Sequence, residues 1–356
     1  MEQHRISATI TTYNAEHDIR DCLRSIEAQV GVTIDEILVV DNASTDGTCD
    51  LVEREFPHVR VIRMPENLGP CPARNRGLRD ARNRLVLQLD SDVVLKPNCT
   101  QRLLEEFFGA DGIAVASPRA VDAANPDVIH YDGGSFHYAG VMALRHFFKP
   151  AARCENVTRD VDAFISLAAL VDRDVLLAVG GYDETFFILF EDHDLSYRLR
   201  IGGHRIRSVH DAVVEHRSGT AGISFRGGSR YPARRLWLHS RNRWLVVLKC
   251  YRWRTVLATL PGVLLLGAAY CFFAWRQGAL KDYVFAKSSL IQHIPHALRE
   301  RAKIARFRKL NDRDLLGSPD LTFSPRIERT GSASLLERLL SGTLRLWWYI
   351  GRLLSG

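Results

Sequence analysis

Residues Arg84 to Leu95 read RLVLQLDSDVVL, and the fold turns on this stretch. Leu85, Val86, Leu87 and Leu89 form a short apolar run, the pattern of a strand buried on both faces of a parallel sheet. The run ends in Asp90-Ser91-Asp92, two carboxylates one residue apart. In open α/β sheets, ligands bind at the carboxyl ends of the strands. Adjacent carboxylates repel, and burial makes them costlier unless a cation or hydrogen bonds compensate them. A divalent cation would do so, since hard ions such as Mg²⁺ or Mn²⁺ favour oxygen ligands. The same three residues would equally suit a polar turn capping a helix. The surrounding segments decide between these readings.

Upstream, Ile6 to Thr12 is β-rich and reads as the first strand. Ile19, Cys22, Leu23 and Ile26 fall at i, i+3, i+4 and i+7, an amphipathic helix. Glu36 to Val40 is a second buried strand ending at Asp41, and residues 42–47 (NASTDG) are turn and N-cap chemistry opening another helix. Val59 to Arg63 predicts a third strand and Ala73 to Ala81 a helix. Downstream, Pro97 sits where a helix N1 proline belongs, with the helix running through Phe108. Ile113 to Ala116 is a fifth strand. Residues 118–160 are less regular, rich in Asp, His and Gly, and read as loops over the sheet edge. Strand–helix alternation with short loops predicts an α/β fold with a doubly wound, mostly parallel sheet. No G-x-G-x-x-G follows the first strand and no G-x-x-x-x-G-K-[ST] occurs, which argues against dinucleotide binding and P-loop chemistry.

A chain of 356 residues fits two domains, or one large domain with an appendage. Its 46% hydrophobic and 25% charged residues are those of an ordinary globular protein. Forty-eight Lys and Arg against 41 Asp and Glu give a net charge of +7, with the excess towards the C-terminus. A basic excess suits nucleic acid, anionic lipid or phosphorylated ligands, and charge alone does not choose among them. Seven scattered cysteines with no C-x-x-C pair argue for a reducing compartment and against zinc. The opening MEQHRISATI lacks the charged start and apolar stretch of a signal peptide.

A second carboxylate centre lies in residues 180–203, GGYDETFFILFEDHDLSYRLRIGG. Five apolar residues, Phe186 to Phe190, lead directly into Glu191, Asp192 and Asp194. Acids in a first helical turn and Arg198 and Arg200 near its end suit the helix dipole. The apolar approach, however, presses the carboxylates towards a dry site, where a pKa rises into the general-base range.

These motifs, in this order, resemble the family 2 glycosyltransferases of GT-A fold. Residues 8–14 (ATITTYN) look like the family's opening strand and 39–48 (VVDNASTDGT) like its nucleotide-binding turn. Asn67-Leu68-Gly69 with Ala73-Arg74-Asn75-x-Gly77 resembles the next loop and helix. Asp90-Ser91-Asp92 matches the D-x-D, residues 181–187 the acceptor-side loop, and Glu191-Asp192 the E-D pair. The resemblance covers most of the first 225 residues.

The resemblance implies an inverting, metal-dependent transfer of a sugar from a nucleoside-diphosphate donor to a hydroxyl of a glycan or lipid-linked acceptor in cell-surface polysaccharide synthesis. Thr11, Tyr13 and Asp41 would hold the nucleoside, with Tyr13 against the base. Asn14, Asn75, Asp90 and Ser91 would also belong to the donor site, Asp90 facing the ribose. Asp92 would ligate Mg²⁺ or Mn²⁺, joined by His216. Asp192 would be the general base, with Glu191 beside it. Pro70 and Pro72 flank Cys71 where relatives carry small residues, implying a stiffer loop. Ser240-Arg241-Asn242-Arg243-Trp244 resembles the Q-x-x-R-W of processive synthases with Ser for Gln. It looks more like the rhamnosyltransferase-like branch, though a plain helix with exposed arginines fits equally well.

Residues 255–275 contain no charge and could just span a bilayer's hydrocarbon, or form a buried helix pair broken at Pro261-Gly262. Residues 299–309 are strongly basic. Leu335 to Leu354 carries Arg338, Arg345 and Arg352 seven apart on an otherwise apolar helix, the composition of an interfacial segment. The expected organisation is therefore a catalytic domain at 1–225 and a helical, membrane-associating region at 226–356. It would lie on the cytoplasmic face of the membrane as a peripheral, re-entrant or single-span element. Basic flanks on both sides of 255–275 and a bend at Pro261-Gly262 argue against a simple single span. Two alternatives stay open: a sugar nucleotidyltransferase, and a basic nucleic-acid-binding protein. The first lacks its glycine-rich opening loop, and the second leaves both carboxylate centres unexplained, so no nucleic acid is expected as a partner.

Overall fold

A computed structural model describes residues 4–217, 223, 231–323 and 331–355, with side chains from 337 onward in the last segment. The chain forms two units. The first holds Met1–Gly133, Arg145–Leu199 and His204–Ser218; the second holds Gly134–Leu144, Arg200–Gly203 and Gly219–Gly356. The boundary expected between residues 225 and 226 lies outside the described residues.

In the first unit, β1 (Arg5–Thr12), β2 (Thr33–Asp41), β3 (Arg60–Arg63) and β4 (Leu85–Asp90) run parallel in the order β3-β2-β1-β4. Their crossovers are α1 (Ile19–Glu27), α2 (Thr48–Glu55) and α3 (Pro70–Asp80). Ile19, Cys22, Leu23 and Ile26 are the buried face of α1, as their spacing predicts. They meet Ile6, Ala8 and Ile10 of β1 and Leu87 and Leu89 of β4 in one core. Each leucine and isoleucine among them contributes about 1.5–3 kcal/mol on burial.

Beyond β4 come β5 (Val93–Leu95), α4 (Cys99–Phe108), β6 (Ile113–Asp122) and β7 (Asn125–Tyr131). The hairpin β8 (Gly134–His137) and β9 (Val141–Leu144) then leaves for the second unit. The chain returns with β10 (Lys149–Pro150), β11 (Arg159–Val161), β12 (Ala168–Asp172), α5 (Arg173–Ala178), α6 (Glu191–Ile201) and β13 (Arg205–His216). β12 inserts antiparallel between β4 and β6, while β13 pairs parallel with β6 and antiparallel with β5 and β11. The expected α/β sheet therefore has a parallel nucleus extended by mixed strands.

Three local expectations change. Residues 118–160 are largely strands rather than loops. Asn125 and the Gly133-Gly134 pair punctuate them, but no long apolar alternation marks them. Pro70 opens α3 instead of stiffening a loop, because a first-turn N–H has no intrahelical partner to lose. The helix after Pro97 begins at Cys99, with Asn98 at its cap.

The second unit contains α7 (Ala233–Cys250), α8 (Trp253–Arg276), α9 (Leu280–Phe307), α10 (Asp312–Leu315), β14 (Leu316–Gly317) and α11 (Gly331–Leu354). β14 pairs with β8, completing a three-stranded sheet with β9. α8 runs unbroken through Pro261, so the helix pair expected to be broken at Pro261-Gly262 is a single helix. Gly262 serves a different purpose: a Cβ there would lie 2.1 Å from the Tyr138 hydroxyl, so the glycine admits that ring. Arg241 and Arg243 of α7 are buried, which removes the reading of a helix with exposed arginines. α8 is long and apolar enough to cross a membrane, and only 33% of its most apolar window is buried.

Candidate active site

The strand register delivers the site to one edge. Thr12 pairs with Asp41 at the end of β2, and Thr11 pairs with Asp90 at the end of β4. Asp41 is buried, and its carboxylate accepts from the Ser44 N–H at 3.1 and 3.3 Å. Asn14, held at φ 49°, accepts from the Thr45 N–H through Oδ1 at 2.8 Å and donates its own N–H to Ser44 Oγ at 2.8 Å. Residues 42–47 are thus pinned to the end of β1. Tyr13 stands out at 44% exposure, its ring open to a ligand. Ser91 is buried, and its N–H donates to the Thr11 carbonyl at 3.2 Å.

Arg74 of α3 ties the two carboxylate centres together. It is only 6% exposed. Nη2 donates to both Asp90 oxygens at 2.9 and 3.1 Å, and Nη1 donates to Glu191 Oε1 at 3.2 Å. The same Nη1 lies 4.0 Å from Asp192 Oδ1. Burial works against the guanidinium charge, but Asp90, Asp192 and Glu191 overcome it and raise its pKa well above the ordinary value. A planar fork reaches the two carboxylates from two separate nitrogens, a spread that the single nitrogen of an ammonium does not offer. Reading the motif Ala73-Arg74-Asn75-x-Gly77 as a loop-and-helix signature did not single out this residue.

Each carboxylate answers the same balance. Burial pushes Asp90 above the ordinary carboxylate range, with Arg74 holding it down and Asp92 pushing it further up. Burial also raises Glu191 and Asp192; the Asp192 charge raises Glu191 further, and Arg74 lowers both. The pair differs in access, Glu191 having 4% of its side chain exposed and Asp192 14%. Asp192 Oδ1 accepts from the Ser166 N–H at 3.1 Å. Glu191 therefore anchors Arg74, and Asp192 is the more exposed of the two carboxylates.

The segment before α6 is held in place under strain. Phe187, Leu189 and Phe190 all have left-handed backbones, at φ 65°, 68° and 74°. Such angles cost of order 1–3 kcal/mol each outside glycine and need surrounding structure to maintain them. Gly69 admits the bend, since a Cβ there would lie 2.5 Å from the Phe187 carbonyl oxygen. Asn75 grips the adjoining turn with its whole amide: Oδ1 accepts from the Tyr182 N–H at 2.8 Å, and Nδ2 donates to Tyr182 O and Glu184 Oε1. Its side chain is thus committed to the 182–184 segment. Arg198, paired with Asp194 at 2.6 Å, donates to the carbonyls of Val179 and Gly181.

Asp92 and His216 come together as expected, with Nε2 of His216 3.3 Å from Asp92 Oδ2. A carboxylate oxygen and an imidazole nitrogen are donors that Mg²⁺ or Mn²⁺ accepts alongside phosphate oxygens and water. Among the described residues, no group of three or more His, Cys, Asp or Glu is placed to hold a metal by itself. The pair therefore supplies two donors and leaves an ion's other positions to water or phosphate oxygens.

Residues 7–166 match the sequence family described as Glycosyl transferase family 2. The succinoglycan biosynthesis protein ExoO of Rhizobium meliloti is 39% identical over 156 residues, covering 43% of this chain and 42% of that protein. A pre-mycofactocin glycosyltransferase of Mycobacterium tuberculosis is 31% identical over 210 residues, covering 55% of this chain and 42% of that protein. The chain thus spans under half the length of both relatives. An N-acetylglucosaminyl-diphospho-decaprenol L-rhamnosyltransferase of Mycobacterium tuberculosis is 28% identical over 281 residues, 71% of this chain and 84% of that protein. A crystal structure of GalNAc-T7 with UDP, GalNAc and Mn²⁺ superposes with a TM-score of 0.51 at 16% identity, over 66% of this chain and 48% of that one, which shows a shared fold.

Proposed function

We propose that this chain, a member of glycosyl transferase family 2 through residues 7–166, moves a sugar from a nucleoside-diphosphate donor to a hydroxyl of a lipid-linked or cell-surface glycan, with inversion. The observation that carries the proposal is Arg74, which joins Asp90 of the donor edge to Glu191 beside Asp192. The exposed Tyr13 ring stacks on the base, and Asp41 and the pinned 42–47 turn border the nucleoside. Asp90, oriented by Arg74, accepts from the ribose.

Asp192 takes the proton of the acceptor hydroxyl as its oxygen attacks the anomeric carbon. The bond from that carbon to the phosphate oxygen breaks on the opposite face, and the diphosphate leaves with the electron pair. Burial above the ordinary carboxylate range suits Asp192 to this role. Holding both substrates in line supplies the orientation part of the rate. Asp92 and His216 would hold a divalent ion, which when bound supplies electrostatic stabilisation of the leaving diphosphate.

The second unit lies against the cytoplasmic face of the membrane in this reading. Leu257 and Trp275 of α8 and Leu353 of α11 are exposed, and Arg338, Arg345 and Arg352 are exposed along α11. Apolar side chains fringed by cations suit a headgroup surface, where each cation contributes about 1 kcal/mol near anionic lipid.

The test is a donor screen by thermal shift with Mn²⁺, followed by transfer assays on Asp192→Asn. That variant keeps size and removes the proton acceptor. Turnover should fall roughly 10²–10⁴-fold while donor affinity barely changes. Turnover within a factor of three of the parent would end the assignment of Asp192 as base.

A further inference from the structure

We propose that His130 is a positioning residue that fixes which nitrogen of His216 faces the metal. The inference rests on the reading of Asp92 and His216 as metal donors.

His130 sits on β7 and His216 at the end of β13, strands that flank β6 on either side. The two Nδ1 atoms lie 3.0 Å apart. Their rings are inclined by only 14°, with centroids 5.0 Å apart. Phe147 and Phe148 border the His130 ring at 5.9 and 4.9 Å between centroids. His130 is therefore held against His216 by an aromatic wall, and its Nδ1 is directed at the far side of the candidate ligand.

A neutral imidazole carries one proton, so its two nitrogens cannot both accept. To bind an ion through Nε2, His216 must carry its proton on Nδ1 and donate it. His130 Nδ1 is the acceptor placed to receive that hydrogen bond, the arrangement by which an outer partner orients a ligating histidine. With an ion on Nε2, His216 would carry its proton on Nδ1 and His130 would carry its own on Nε2, so that His130 Nδ1 accepts from His216.

The experiment titrates the full-length protein with Mn²⁺ alone, reading free ion by electron paramagnetic resonance. The variants are His216→Ala, His130→Phe and His130→Asn. His216→Ala should weaken binding at least tenfold, and His130→Phe by about 10–100-fold. His130→Asn places an amide oxygen near the Nδ1 position and should recover affinity to within about threefold of the parent. No saturable binding by the parent, or unchanged binding by His216→Ala, would overturn the metal reading and this inference with it. Weak binding by His216→Ala with parental binding by His130→Phe would overturn this inference alone. So would His130→Asn binding as weakly as His130→Phe, the result of a merely structural role. Nitrogen-15 histidine spectra of the unaltered protein with Mg²⁺ give an independent check: His216 should be protonated on Nδ1, and protonation on Nε2 would refute the proposal.

Discussion

Two buried arginines, one in each unit, meet opposite surroundings. Arg74 lies among Asp90, Glu191 and Asp192, and its charge is reinforced. Arg243 donates from Nη1 to the carbonyls of Ala139 and Val263 at 2.9 and 3.2 Å and lies 5.3 and 5.7 Å from the rings of Trp244 and Tyr270. These partners are carbonyls and rings rather than carboxylates, and burial lowers its pKa. The first unit uses a buried cation to set the charge of reacting groups. The second uses one to join a hairpin, α7 and α8 through backbone carbonyls. A buried charge thus marks chemistry only when its partners are themselves chemical groups.

The sharpest way to break this contrast is to remove each guanidinium in turn. Arg74→Met leaves three carboxylates without their cation, and urea unfolding should show a loss of about 3–5 kcal/mol with transfer activity abolished. Arg74→Lys should not restore activity, because one nitrogen replaces the two that separately reach Glu191 and Asp90. Arg243→Met exchanges a buried cation for an apolar chain of similar length. Its loss should stay under about 2 kcal/mol, since relief of the buried charge offsets the lost carbonyl bonds. If Arg243→Met proved the more damaging, the distinction between the two arginines would fall.

Acid separates the units further. His137 of the second unit is 1% exposed, its Nδ1 accepts from the Ala139 N–H at 3.0 Å, and burial, with the nearby Arg243 charge, depresses its pKa to about 4. The unfolded chain therefore binds a proton that the folded one refuses between about 6.5 and 4. This contribution is present above pH 6.5 and is lost as pH falls, at about 1.4 kcal/mol per unit, or about 2 kcal/mol by pH 5. In the first unit the raised carboxyls of Glu191 and Asp192 have the opposite sign: their contribution is present at low pH and is lost as pH rises. Hydrogen exchange should show α7 protection falling between pH 7 and 5 more than β4 protection. His137→Asn should flatten that difference.

The smallest expected effect concerns the surface. Leu353 is 85% exposed, so Leu353→Glu should leave unfolding within about 0.5 kcal/mol. Its sedimentation with vesicles of anionic phospholipid should weaken about five- to tenfold if α11 rests in headgroups. Unaltered vesicle binding would remove α11 from the membrane-facing surface.

Much of the first unit was legible because its signals are local. Leu85 to Leu89 is a buried strand, the α1 face is the predicted one, and Asp90 and Asp92 stand at a strand end. What escaped depends on distant partners. Gln88 breaks the apolar run of β4 but is buried, accepting the Tyr182 hydroxyl at 3.1 Å across 94 residues. Arg74 meets Glu191 across 117 residues, and His130 meets His216 across 86. No periodicity records such pairings. Arg243 was visible as part of a motif, yet nothing in its neighbours said that its partners would be carbonyls.

The hairpin β8–β9 imposes an order of events on the ribosome. Phe136 pairs in register with Leu316, and the Tyr138 hydroxyl donates to the Leu344 carbonyl. Phe136 and Tyr138 are both fully buried in the finished protein. At typical elongation rates of about 5–20 residues per second, their partners follow about 10–40 seconds later. Through that interval two aromatic rings wait without their covering, while the strands on either side of the hairpin can already join the sheet. A chain stopped before residue 316 can neither pair Phe136 with Leu316 nor give the Tyr138 hydroxyl its bond to Leu344. Quality control during synthesis would therefore see this protein most clearly through a short hairpin near its middle, well before its last helix is made.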